Sequence, residues 1–388
     1  MDRIYLDNAS TTPLSGEVFE AMLPFLRDGY GNASSVHGTG RDARRAVDKA
    51  RRQTARAIGA EAREIYFTSG GSESDNWAIA GAYFAWKEKN VDSARPGHII
   101  TTAIEHHAVL HTCQWLERLG AEVTYLPVDR YGMIDPEKLK AAIRSDTLLI
   151  TVMTANNEIG TIEPIEEVSG IARDAGILFH TDAVQAAGAL KIDAAKAGVD
   201  LLSLSAHKFN GPKGVGALYI RAGTKLEPLI HGGAQERGQR AGTENTAGIV
   251  GMGEALERAA AGMEERENRV RALRDRLIEG TLHRIPGAML NGHPTRRLPG
   301  NCNVSIPGVD GEALLLRLDL EGIACSSGSA CTSGSQEPSH VLRAIGLSEE
   351  QEKGSLRLTI GGQNTEEEID ETLEALVRIT ADLRSMRL

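Results

Sequence analysis

Between residues 60 and 220, short apolar runs alternate with amphipathic stretches, and no other feature limits the fold of this chain as strongly. The runs fall at 65–67, 98–100, 148–153, 178–179, 201–204 and 217–220. Segments such as "PEKLKAAIRSD" and "IEEVSGIARDAG" separate them, with apolar residues three to four apart as in an amphipathic helix. Strand and helix in repetition predict a mostly parallel sheet with helices on both faces. After residue 240 the pattern changes to one long helical stretch, broken near Gly262. Beyond it, "GNCNVSIPG" and "SLRLTIGG" read as strands, and a closing helix begins at Thr365, with Glu368 three residues on as a capping box. Three parts are therefore expected: an N-terminal segment, 1–15, packing on the smaller domain; a large domain, 16–260; and a smaller C-terminal domain, 261–388.

Bulk properties exclude several classes of function. A net charge of −10 argues against a general nucleic-acid binder, which needs a basic face. No run approaches the ~18 uninterrupted apolar residues of a membrane span. The opening "MDRIYLDNAS" has no basic region followed by an apolar run, and the four cysteines (Cys113, Cys302, Cys325 and Cys331) form no C-x-x-C pair. A cytoplasmic protein without a disulfide framework or membrane contact is expected.

In open α/β sheets ligands bind beyond the carboxyl ends of the strands, and here polar residues gather at those ends. "TSGGSESDN" follows the first run, and it fits either an ordinary glycine turn or a phosphate cradle at a helix N-terminus. "TTAIEHHAVL" brings His106 and His107, adjacent residues that share no helical face, so no metal site is expected. In "TANNEIGT", Asn156 and Asn157 fit turn capping and ligand donation equally. Asp182, in "HTDAVQAAG", follows a buried run directly and needs a partner, with Gln185 three residues on. Last come Ser205, His207 and Lys208, where an apolar run meets a glycine-rich bend. An ammonium buried there without compensation titrates several units below its usual ~10.4, which makes a Schiff-base lysine. A lysine, a carboxylate for a pyridinium nitrogen and a phosphate nest together suit pyridoxal 5'-phosphate (PLP).

The chain resembles the cysteine desulfurases of the NifS/IscS type, class V aminotransferases of PLP fold type I. The likeness runs from "YLDNASTTP" to "TEEEID" through "NASSVHGTGR", "FTSGGSESDN", "NNEIGTIEPI", "HTDAVQAAG", "SAHKFNGPKGVGALY", "GGAQERGQRAGTENT" and "SSGSACTSGSQEPSHVL". It implies an aspartate-aminotransferase-like large domain with a mostly parallel seven-stranded sheet and a smaller α+β C-terminal domain. Carried over by position, Lys208 forms the Schiff base, Asp182 meets the pyridinium nitrogen, His106 stacks on the ring and Gln185 contacts the phenolic oxygen. Gly71, Ser72, Ser205 and His207 hold the phosphate, and Thr243 reaches it from a second subunit, so a homodimer is implied. Asn157 and Arg357 bind the substrate carboxylate. Cys331 takes sulfur from L-cysteine as a persulfide, alanine leaves, and the sulfur passes to an acceptor such as an iron–sulfur scaffold. Gly362 and Gln363 depart from the family, which often has an arginine and an aromatic there. Cys325, six residues before Cys331, reads as a small packed residue, and Cys113 and Cys302 read as structural.

Overall fold

The computed structural model describes residues 3–91, 95–327 and 339–386. Its strands are β1 (Ile4–Tyr5), β2 (Ile65–Thr68), β3 (His98–Thr102), β4 (Glu122–Leu126), β5 (Thr147–Thr151), β6 (Leu178–Asp182), β7 (Leu201–Ser205), β8 (Gly216–Ile220), β9 (Met289–Leu290), β10 (Asn301–Ser305), β11 (Ile323–Ala324) and β12 (Ser355–Thr359). Seven of them form one sheet in the order β2-β8-β7-β6-β5-β3-β4. Only β8 runs against its neighbours, pairing antiparallel with both β2 and β7, while the other pairings are parallel. Helices cover both faces, so the inner strands are wholly buried and read as unbroken apolar runs. Burying each large aliphatic residue there, Leu201 and Leu204 among them, contributes about 1.5–3 kcal/mol.

Every apolar run falls on a strand, the one at 148–153 running two residues past the end of β5, but β4 escaped the pattern. Its "EVTYL" begins exposed and ends buried because it sits at the sheet edge, where one side faces water. The long helical stretch is indeed two helices, Thr246–Ala260 and Met263–Arg284, and Gly262 turns between them at φ +66, a left-handed conformation that favours glycine. Thr365 caps the closing helix, Glu366–Ser385, through the expected capping box with Glu368.

A separate apolar cluster joins Ile4 and Leu6 to the helices Met263–Arg284 and Glu366–Ser385 and to β10 and β12. The chain start is tied there by backbone: β1 pairs with β11, and Thr359 N–H donates to Leu6 O at 2.7 Å. Residues 7–12 therefore run from this cluster to the carboxyl ends of β6 and β7. No helix among the described residues is long and apolar enough to cross a membrane.

Candidate active site

Strand β7 ends at Ser205, and Ala206–Lys208 form a single 3-10 turn. The chain then reverses through Asn210 at φ 62. At Gly211 a Cβ would stand 2.8 Å from Ala206 O, so the bend requires a glycine. Lys208 leaves this turn half-buried, and its Nζ donates to Ala9 O at 2.5 Å and to Ser10 O at 2.9 Å. Gln185 Nε2 donates to the same Ala9 carbonyl at 2.9 Å. Thr12 returns the link, with its N–H and hydroxyl both donating to His207 O. The lysine thus stands where two strand ends meet the returning N-terminal segment.

Asp182 ends β6, fully buried, and one carboxylate oxygen accepts from Val184 N–H at 2.9 Å. Burial raises its pKa, while that hydrogen bond and the Lys208 charge oppose the rise. His106 caps the helix His107–Arg118, its Nδ1 accepting from Ala108 N–H at 3.1 Å, which leaves the ring proton on Nε2. Burial and then the Lys208 charge lower its pKa to about 4, so the ring is neutral. A carboxylate oxygen of Asp182, a ring nitrogen of His106 and a carboxylate oxygen of Asp75 lie within 4.8 Å of one another. Lysine, aspartate and histidine, spaced across about a hundred residues, converge on one small volume.

The helix Gly71–Lys89 begins beside them, with no side chain capping its N-terminus. A Cβ on Gly71 would lie 2.6 Å from Val184 Cγ2 and 3.5 Å from Ser205 Cβ. Ser205 is buried here, and His207 Nδ1 lies 3.2 Å from Thr11 Oγ1. Burial lowers the His207 pKa to about 4, with the nearby Lys208 and Lys213 charges adding to the effect. Free amides at a helix start, beside a hydroxyl and an imidazole, suit an anion. Ser72 is exposed on the first turn of that helix, and Thr243 is exposed in the segment before Thr246–Ala260.

Arg357 is buried in β12. Its NH1 donates to Asn157 O at 3.1 Å, and its NH2 to Ser10 Oγ at 2.8 Å and Asp7 Oδ1 at 3.1 Å. Among the described residues its Nε has no hydrogen-bond partner. Arg357 and Asn157 therefore meet as the sequence pairs them, although through the asparagine's backbone, and a protein carboxylate already faces the guanidinium. Cys331 lies outside the described residues. Before it, Ser326 exchanges backbone hydrogen bonds with Arg357; after it, Ser339 Oγ donates to Glu158 at 2.5 Å and His340 Nε2 to Glu105 O at 2.9 Å. Cys325 is half-buried against the C-terminal cluster, its pKa pushed up to about 12 by burial, and the thiols of Cys113 and Cys302 are wholly buried.

The aminotransferase class-V family model matches residues 4–372. The chain is 57% identical over 383 residues, 99% of its own length and 93% of the relative's, to "Cysteine desulfurase IscS" of Methanosarcina thermophila. A solved structure described as a NifS-like protein superposes with a TM-score of 0.91 at 40% identity, over 98% of this chain and all of that one. Another, described as SspA in complex with cysteine, gives 0.81 at 38% identity, covering 93% of this chain and 100% of that one.

The chain belongs to the class-V aminotransferases and, within them, to the cysteine desulfurases.

It is accordingly an α/β enzyme of the PLP-dependent fold type I. The site of this desulfurase fits the cofactor on its own geometry. The Gly71 cradle leaves room that a side chain would fill, a lysine amine stands at hand, and a buried carboxylate lies across from it. Gly71→Ala pushes into Val184, whose N–H orients Asp182. Overpacking of this kind costs about 1–3 kcal/mol, so cofactor affinity falls by roughly 10–100-fold in a fluorescence titration of the apoprotein.

Sequence reasoning passed over Asp75, Glu105 and His180, which lie behind Asp182. His180 Nδ1 pairs with Thr151 Oγ1 at 2.8 Å and Nε2 with Ser203 Oγ at 3.0 Å, and burial lowers its pKa to about 3. Glu105 accepts from Thr102 Oγ1 at 2.7 Å and Met153 N–H at 3.0 Å; burial raises its pKa to about 8. The only signal was a polar residue where the periodicity calls for an apolar one, as at His180 inside "LFHTD".

Proposed function

We propose that this enzyme takes the sulfur of L-cysteine onto Cys331 as a persulfide, releases L-alanine, and passes the sulfur to an acceptor protein such as an iron–sulfur scaffold. The convergence of Lys208, Asp182 and His106 at adjoining strand ends carries this reading. When bound there, PLP supplies an electrophilic aldehyde and a ring that withdraws electrons from the substrate's Cα. Lys208 would hold the cofactor through Nζ, and its amine would serve as the base that takes the proton from Cα. Asp182 keeps a negative charge against the ring nitrogen, and His106, neutral with its proton on Nε2, stacks on the ring and shuttles protons at that atom. Gln185 orients the phenolic oxygen.

Gly71, Ser72, Ser205 and His207 hold the phosphate, and Thr243 reaches the site of a second copy. Thr243 is exposed, and so are the large apolar side chains of Tyr30 and Val36, which supports a homodimer. Arg357 and Asn157 bind the substrate carboxylate, for which the guanidinium keeps an unpartnered Nε. The thiolate of Cys331 attacks the substrate sulfur. An S–S bond forms, the C–S bond breaks, and its electron pair goes to the substrate carbon, which is then protonated. Two domains, 16–260 and 261–388, with 1–15 packed on the second, and a cytoplasmic location complete this reading; the separate cluster around Leu6 and β12 supports the division.

The test is anaerobic incubation of wild type and Cys331→Ala with L-cysteine. Wild type yields alanine and persulfide in equal amounts, and the variant loses at least about 100-fold in alanine formation, the scale of a removed nucleophile. Equal sulfide release by both proteins would exclude Cys331 as the acceptor.

A further inference from the structure

Asp75 has no role in the chemistry above, yet it lies on the first turns of Gly71–Lys89 with its side chain turned toward the sheet and almost entirely buried. Its carboxylate stands within 4.8 Å of that of Asp182, and its Oδ1 has no hydrogen-bond partner among the described residues. The groups facing it are all named by the packing: His180, with Nε2 3.7 Å from that oxygen, Ser203 beside it, His106, Asp182 and, farther off, Glu105. None supplies a cation, because both imidazoles are neutral at pH 7.

We infer that Asp75 is a positioning residue that shares a single proton with Asp182, so that the pair rather than Asp182 alone sets the charge presented to the cofactor's ring nitrogen. The inference rests on the reading that Asp182 meets that nitrogen. Two carboxylates this close in a dry site do not both ionise readily. The asymmetry of their surroundings decides which keeps the proton. Asp182 accepts the Val184 N–H and feels the Lys208 charge, and both favour its ionised form. Asp75 is raised well above the usual carboxylate range by burial and then by Asp182 itself, with Ser203 opposing the rise. The proton therefore resides on Asp75 at neutral pH, leaving one negative charge for one pyridinium. As pH rises and Asp75 ionises, a second negative charge arrives behind Asp182 and the nitrogen holds its proton more tightly.

The variants are Asp75→Asn, which cannot ionise but keeps the shape, and Asp182→Asn, both as holoenzyme. Infrared difference spectra at pH 7 report protonated carboxylic acids without any turnover. The wild-type-minus-D75N spectrum is expected to contain an acid carbonyl band, with Glu105→Gln identifying the separate contribution of that residue. In the pH titration of cofactor absorbance, D75N loses the upper of two steps, the one in which Asp75 ionises. A D75N protein with no missing infrared band and a wild-type titration would overturn the inference, even if its stability had changed. If D182N also leaves the cofactor spectrum untouched, it is the assignment of Asp182 that fails; if D182N alters it and D75N does not, only the role of Asp75 fails.

Discussion

Lys208→Ala protein is expected to fold, to bind the cofactor without the absorbance of a lysine adduct, and to lose at least about four orders of magnitude in alanine formation, since in the proposed mechanism one residue supplies both the attachment and the proton transfer. Folding survives because Lys208 is only half-buried, and Ala9 O and Ser10 O, which accept from it, lie in a segment held by other bonds. Gln185 still donates to Ala9 O, and Thr12 still bonds His207 O. Lys208→Arg separates the two roles. It keeps a cation beside Asp182 and His106 but supplies no nucleophilic amine at neutral pH. Stopped-flow mixing with L-cysteine reads the result. Turnover near wild type in either variant would remove Lys208 from the chemistry.

Arg51→Met is expected to destabilise the holoenzyme by about 3–5 kcal/mol, the cost of leaving a buried charge without its partner. Arg51 NH1 and NH2 donate to the two carboxylate oxygens of Glu236 at 2.6 and 2.7 Å, and NH1 also donates to Ile65 O at 2.7 Å. Each residue is only 5% exposed, so water cannot replace the lost partner. Without Arg51, Glu236 keeps the hydrogen bond from Phe67 N–H at 3.1 Å but no cation against it at that distance among the described residues. The effect reaches the site through backbone: Glu236 and Arg237 take φ 44 and 59, left-handed conformations that this ion pair and its neighbours hold in place. Arg240 follows closely, paired to Glu73 at 2.8 Å on the helix Gly71–Lys89, and Thr243 comes next. Denaturant melts of R51M and of R51M/E236L give the check. The double variant is expected to recover more than half the loss, because it removes the orphaned charge; equal losses in both would mean that packing, not charge, holds this corner.

How much of the site was legible depended on where each residue falls along its strand. Lys208 and Asp182 stood out because a charge directly after a buried apolar run cannot be a surface accident, and both lie at carboxyl ends. Asp75 looked like one more polar residue in the first turn of a helix, where serines, acids and glycines are ordinary caps. Its burial follows from that helix packing across β5 to β8, a contact between segments about 60 to 150 residues apart. Arg357 stood out as a guanidinium beside Asn157, but its engagement with Asp7 was not legible, because Asp7 reaches it only after β1 has paired with β11.

The sequence by itself determined the layered α/β architecture, since strands buried on both faces and helices with one wet face impose distinct hydrophobic periods on the chain. It also determined the chemistry available, because a lysine, an aspartate and glycines in those settings have few other uses. The tertiary structure alone decided which polar groups share a volume and which of them carry charge. Burial, an opposing cation and a like-charged neighbour act over a few ångströms in space, and nothing in the spacing of Asp75, His106, Asp182 and Lys208 along the chain encodes those distances.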